Sequence, residues 1–204
     1  MAVPKVKDTA ARFIANARAS AAVVTEARSL DEALDYALDL CLRKPPRENL
    51  PCGGTSSPRL EEEARLLAAP GLDAASAALL EQKGKERGVR ILRAGLRAWP
   101  AGIDLGLVLA EGGIAESATC LVDTTDEDVR LATMICEISV LVLPKSSLAE
   151  TPREFAASLT QRLNREAACL TWISGPSKTS DIERVLAIGV HGPLELHIAL
   201  VSQP

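Results

Sequence analysis

Three short polar stretches of this chain hold the residue types that acid/base and anion chemistry require. The first, "SGPSKTSDIE" (174–183), follows the apolar run "CLTWI". Ser174, Ser177 and Thr179 supply hydroxyls, Gly175 a permissive backbone, and Asp181 and Glu183 two carboxylates. Ser180 and Glu183 have the spacing of a capping box, so a short helix is predicted to start near Asp181. Its N-terminus would aim free N–H groups and a partial positive charge at the loop, which suits a carboxylate, a phosphate or a polarised carbonyl oxygen. The same hydroxyls can equally do no more than cap and turn the chain.

The second stretch is "GVHGP" (189–193). His191 stands among turn residues beside Gly192, and an imidazole of pKa about 6.5 can serve as acid or base at neutral pH. His197, by contrast, lies in a strand-like run, on the face opposite Leu196, Ile198 and Leu200. It reads as a packed, hydrogen-bonded structural residue. The third stretch, "AEGGIAESAT" (110–119), has Glu111 and Glu116 bracketing Gly112–Gly113, with Ser117 and Thr119 following. A glycine turn between two strands is expected there. Paired carboxylates at a strand end can raise one another's pKa, as a general acid needs; solvated turn residues are the plain alternative. In open α/β sheets ligands settle outside the carboxyl ends of the strands, and the turn is expected at such an end.

The candidate acid/base groups are therefore Glu116, Asp181 and His191. The candidate ligand-binding residues are Ser117, Thr119, Ser174, Gly175, Ser177, Thr179, Glu183 and Gly192. A Walker loop is excluded, because Ser177 precedes Lys178 and Trp172 occupies the other glycine position. No GxGxxG follows any strand-like run. Cysteines stand at 41, 52, 120, 136 and 169, an odd number with no CxxC clip. With only two histidines beside them, no metal site is expected, and the thiols read as reduced.

These groups must be held by regular elements, and the sequence marks several. Ser29 and Glu32 open a helix whose Leu30, Ala33, Leu34, Ala37, Leu38 and Cys41 share one face. Thr151 and Glu154, with Pro152 at the first helical position, open another with a stripe of Phe155, Leu159 and Leu163. Helices are also predicted over 74–88, ending at Gly88, and over 8–19. Strands are predicted over 21–27, 89–95, 104–110, 118–124, 137–144, 169–174 and 196–202. Several are continuously apolar, as strands buried on both faces are. Alternation with helices implies an α/β sandwich around a largely parallel sheet. Residues 60–70 fit helix or strand equally. Residues 45–59, "PPRENLPCGGTSSPR", form a Pro/Gly-rich loop that reads either as a lid or as a plain surface connection.

The 204 residues suit one domain, 1–204, with an N-terminal helical extension of about 1–20. Hydrophobic residues make up 47% but aromatics only 2%, so the core must be aliphatic. A net charge of −4 speaks against a generic nucleic-acid surface or an anionic-membrane binder. No run approaches the roughly 18 uncharged residues of a spanning helix. Arg12, Asn16 and Arg18 interrupt the first stretch where a signal peptide would be apolar, so a cytoplasmic location is expected.

Taken in order, "IAESAT", "VLPKSSL", "SGPSKTSDIE" and "GVHGP" resemble the lactate utilization protein C family (LutC/YkgG, the LUD domain) over roughly residues 100–204. The resemblance implies a Rossmann-like three-layer α/β/α sandwich like that of the sugar-phosphate isomerase, CoA-transferase and formyltetrahydrofolate cyclo-ligase group. It implies a place beside two iron–sulfur partner proteins in oxidising L-lactate to pyruvate. The clusters would sit on the partners, with no cofactor bound by this chain itself. The matching positions are Ala115, Glu116 and Ser117; Ser174, Gly175, Pro176 and Ser177; Asp181, Ile182 and Glu183; and His191, Gly192 and Pro193. Ala118 stands where the family usually has Gly, which would narrow the turn after Ser117. Cys136 stands where it usually has Pro, at the entry to a strand. The resemblance assigns no catalytic step to this chain. The alternative is a free-standing enzyme or binding protein for a small anionic metabolite: a carboxylate, a CoA ester or a phosphorylated compound. A third reading is an interaction module whose polar loops are dispensable.

Overall fold

A computed structural model describes residues 8–44, 64–99, 102–163, 169–179, 187–189 and 192–203. Helix α1 (Thr9–Ala19) leads into strand β1 (Val23–Ala27), followed by α2 (Leu30–Arg43), β2 (Arg65–Ala68), α3 (Ala74–Arg87) and β3 (Val89–Leu92). Strands β4 (Ile103–Leu109), β5 (Gly112–Ile114) and β6 (Thr119–Asp123) come next, then α4 (Glu127–Ala132) and β7 (Cys136–Pro144). The remaining elements are β8 (Leu148–Ala149), α5 (Pro152–Leu163), β9 (Leu170–Ile173), β10 (Lys178–Thr179), β11 (Ala187–Ile188) and β12 (Glu195–Val201).

The predicted helix starts rest on local chemistry that the structure displays. Ser29 Oγ accepts from Glu32 N at 3.4 Å, and Glu32 Oε2 accepts from Arg28 N at 2.7 Å. Thr151 Oγ1 accepts from Glu154 N at 3.3 Å, and Glu154 Oε2 accepts from Glu150 N at 2.9 Å. In both boxes the carboxylate reaches one residue further back than the usual pattern, to the N–H preceding the cap. Helix α3 stops at Gly88, whose φ of +70° is the left-handed conformation glycine adopts without steric penalty. The Ser180–Glu183 box and the loop 45–59 lie outside the described residues.

Six strands form one parallel sheet in the order β1-β12-β7-β4-β2-β3. On one face, Ala33, Leu34, Ala37, Leu38 and Cys41 of α2 and Ala77 and Leu80 of α3 pack on Leu67, Leu105, Leu107 and Val140. On the other, Phe13 and Ala17 of α1 and Val129 and Ala132 of α4 pack on Leu66, Val108, Leu141 and Ile198. Both faces are thus covered, which explains why β4, β7 and β12 are largely apolar and buried along most of their length. Burying a side chain such as Leu141 stabilises by about 1.5–3 kcal/mol.

The largest departure from expectation concerns the strands at 118–124 and 169–174. They are absent from the parallel sheet. As β6 and β9 they pair antiparallel, in a second sheet ordered β8-β5-β6-β9. This sheet shares the α1 and α4 side of the molecule, with Cys120 and Val122 turned into that core. Phe155 of α5 covers it by packing on Ile114 and Leu121, and Leu159 packs alongside. Gly112 and Gly113 accordingly form a strand and no turn. A Cβ on Gly112 would lie 2.6 Å from Phe155 Cε2, and one on Gly113 would lie 2.9 Å from Leu148 Cδ2. Space, and not chain reversal, requires both glycines. The ambiguous 60–70 segment contributes β2, a central strand whose Leu66, Leu67 and Ala68 are buried.

Candidate functional site

The true chain reversal after β5 is Ala115–Ala118, and it is built by hydrogen bonds from outside itself. Ala115 N and Glu116 N donate to Ala149 O and Glu150 O at 2.8 and 3.1 Å. Asn16, on the last turn of α1, donates through Nδ2 to Ala115 O at 2.8 Å and Glu116 O at 3.0 Å. The peptide groups are thereby satisfied, while the Glu116 and Ser117 side chains are exposed. Ala118 has φ +51°, a conformation that L side chains rarely adopt. That is the physical reason glycine suits this position, and here a methyl group tolerates it, buried in the core.

Three of the predicted hydroxyls meet. Thr119 Oγ1 lies 2.7 Å from Ser117 Oγ and 2.6 Å from Ser174 Oγ, joining the start of β6 to the end of β9. Thr119 is buried at 8% exposure, whereas Ser117 and Ser174 face solvent. A hydroxyl both donates and accepts, so this chain of three can turn its protons toward or away from an anion without any change in charge.

The loop after Ser174 is pinned beneath it. Gly175 has φ +89°, and a Cβ there would lie 2.7 Å from Ser20 O. Lys178 Nζ donates to that same carbonyl at 3.2 Å. Ser177 N donates to Pro193 O at 3.2 Å, Gly189 N donates to Ser177 O at 3.0 Å, and Gly192 packs on Ser177. Thr179 belongs to the two-residue strand β10, paired with β11. Asp181, Glu183 and His191 lie outside the described residues. Among the candidates, then, the structure joins Ser117, Thr119 and Ser174 directly. It places Gly175 and Ser177 on the loop that follows Ser174, with Gly192 packed on Ser177 from the segment before β12 and the Glu116 carboxylate at the neighbouring turn.

The location differs from the strand-end rule. Ser20 caps α1 just ahead of β1, and Pro193 lies just ahead of β12. Leu194 N donates to Glu137 O, near the start of β7. The cluster therefore stands at the amino ends of the parallel strands, because β5 and β9, whose carboxyl ends carry it, belong to the second sheet. Glu111 precedes β5 and Glu116 follows it, so the two carboxylates sit at opposite ends of that strand instead of sharing a turn. Asn16 and Ser20 are contributors that carried no motif; their only sequence signal is a polar end to an otherwise amphipathic helix, whereas Lys178 lies within the singled-out 174–183 stretch. Among the described residues no group of three His, Cys, Asp or Glu is placed to hold a metal ion. Cys41, Cys120 and Cys136 are buried and Cys169 is exposed. Burial pushes the Cys120 thiol up to about 12.

A parallel six-stranded sheet with helices on both faces defines the class, a Rossmann-like α/β protein. Within it, the LUD domain family matches residues 10–201, and the chain belongs to that family. It is 35% identical over 94 residues to YkgG of Escherichia coli, covering 45% of this chain and 41% of that protein. It is 33% identical over 104 residues to lactate utilization protein C of Bacillus subtilis, covering 48% and 42%. The chain thus aligns with less than half the length of these curated relatives. A crystal structure of a DUF162 family protein from Deinococcus radiodurans shares the fold, with TM-score 0.56 and 18% identity over 95% of this chain and 96% of that one. No helix among the described residues is long and apolar enough to cross a membrane.

Proposed function

We propose that the chain serves in lactate utilization, as a component without a cluster of its own that works with iron–sulfur partner proteins oxidising L-lactate to pyruvate. The observation that carries this reading is family membership across residues 10–201, together with relatives named lactate utilization protein C. In this reading the Ser117–Thr119–Ser174 hydroxyls hold a small organic acid, with Glu116 beside them and Lys178 supplying positive charge. Asp181 and His191 complete the acid/base set. A small-anion-binding protein acting alone is favoured by the same hydroxyl chain, because it needs no partner to bind an anion.

The deciding experiment deletes the chain from its host and measures lactate-dependent electron transfer, with affinity capture of the tagged chain in parallel. Loss of lactate oxidation together with recovery of cluster-bearing partners is expected. Full activity in its absence would overturn the reading and leave the stand-alone alternative.

A further inference from the structure

On the opposite face of the sheet from the hydroxyl cluster, three groups drawn from distant parts of the chain form a hydrogen-bonded relay. Tyr36 Oη, from α2, lies 2.6 Å from His197 Nδ1 on β12, and His197 Nε2 lies 2.9 Å from Glu195 Oε2. The imidazole is almost wholly enclosed, with its side chain 6% exposed, while Glu195 reaches water. The relay forms one wall of a cavity of about 410 Å³. Leu40 and Ile138 line it with apolar surface, and Arg43 and Lys44 bring positive charge to its margin. That volume falls in the range of small-molecule sites, which are mostly apolar with a few converging polar groups.

The order of donors can be worked out from the chemistry of the three groups. An ionised carboxylate only accepts, so Glu195 takes the Nε2 proton and fixes the imidazole tautomer. Nδ1 is then the acceptor, and Tyr36 O–H donates to it. The phenolic oxygen is left with lone pairs to receive a hydrogen bond from something else. A ligand hydroxyl fits that requirement; a carbonyl oxygen, which cannot donate, does not. The relay thereby fixes Tyr36 as donor to His197 and as acceptor toward the ligand.

The charges assign the other end of the ligand. Lys44 is already committed: its Nζ pairs with Glu137 and lies 3.4 Å from the fully buried Asp104. Arg43 is exposed, and its Nε donates to Asp39 O, which uses one of five guanidinium donors. Seven residues separate Arg43 from Tyr36, two turns and roughly 10 Å along the same helix. A guanidinium at that reach is suited to a carboxylate.

We propose that this cavity is a second site, for a small hydroxycarboxylate whose carboxylate is held by Arg43 and whose hydroxyl is bound by Tyr36. Tyr36 is the group that touches the ligand; His197 and Glu195 are positioning residues that set its proton. The site stands on these residues alone and does not depend on the lactate reading.

The test titrates the full isolated chain with 2-, 3- and 4-hydroxybutanoate and with butanoate, followed by calorimetry and by perturbation of assigned amide NMR signals. At least one hydroxy acid is expected to bind about tenfold more tightly than butanoate, with perturbations centred on 36–44 and 195–197. Tyr36→Phe should erase that preference, and Arg43→Gln should weaken every carboxylate by about tenfold. His197→Gln should reduce the preference only in part, and should shift its dependence on pH. Circular dichroism and melting temperature report whether each variant is folded. Equal affinity for butanoate and all three hydroxy acids, absence of saturable binding, or perturbations confined to the Thr119–Ser174 loop would each overturn the proposal.

Discussion

Two polar clusters flank the amino end of β12, one on each face of the sheet, and they are built on opposite principles. Around Thr119 the groups are neutral hydroxyls that satisfy one another, at the junction of a small mixed sheet and a glycine-bearing loop. Around His197 the groups are titratable and lie against a helix, above a buried ion set of Asp104, Lys44 and Arg65. Asp104 also accepts from Leu66 N at 2.8 Å. Neutral hydroxyls can orient a ligand at little desolvation cost, whereas a buried imidazole needs partners on both nitrogens before it is tolerable. The first arrangement suits positioning and the second suits moving a proton.

That contrast can be broken at its strongest point by Asp104→Ala. Removing the fully buried carboxylate leaves Leu66 N without its acceptor and takes from Lys44 and Arg65 the negative charge beside them, with Glu137 still paired to Lys44. A loss of about 3–5 kcal/mol is expected in urea unfolding. The Thr119 cluster, on the other face, should keep its amide NMR shifts. Next in size is Gly175→Ala, which sets a methyl against Ser20 O at a left-handed φ. A cost of about 1–3 kcal/mol and faster proteolysis within 174–179 are expected. If the melting temperature is unmoved, the loop is not pinned as described.

A smaller effect is expected for Thr119→Val, which removes the central hydroxyl and leaves Ser117 and Ser174 to water. About 1 kcal/mol should be lost, and Ser174→Ala, at the exposed end, should cost less. A reversed order would show that Thr119 is not the link. Least at neutral pH is the contribution of Cys120. Its thiol ionises in the unfolded chain well before it does in the native one, where burial holds it at about 12. The unfolded state therefore binds fewer protons over that interval, and stability falls as pH rises from the ordinary thiol range toward 12. Cys120→Ala should flatten that alkaline limb without altering its neutral plateau. In the native protein at pH 8, alkylation followed by mass spectrometry should find Cys169 modified long before Cys120.

Much of the architecture could be read from short windows. Ser29 with Glu32, Thr151 with Glu154 and Gly88 are local signals, and each marks a helix end in the structure. The apolar runs of β4, β7 and β12 identified buried strands for the same reason, since both of their faces are covered. His197 is hydrogen-bonded and enclosed, as its strand position suggested. Gly112–Gly113 reads locally as a turn, because the Phe155 ring and the Leu148 side chain that exclude a Cβ there come from distant parts of the chain. Tyr36 carried no motif at all, although it is the only tyrosine in the chain.

The amino-acid sequence by itself determined where helices begin and stop and which segments are apolar enough to be strands, because caps and periodicity act within a few residues. Only the tertiary structure decided that β6 and β9 leave the parallel sheet, that Ser174 meets Thr119 and that Tyr36 meets His197. Those pairings join residues 55 and 161 positions apart. Contacts at such separations are settled by which apolar faces can be covered together, a property of the whole packed chain and of no single stretch of it.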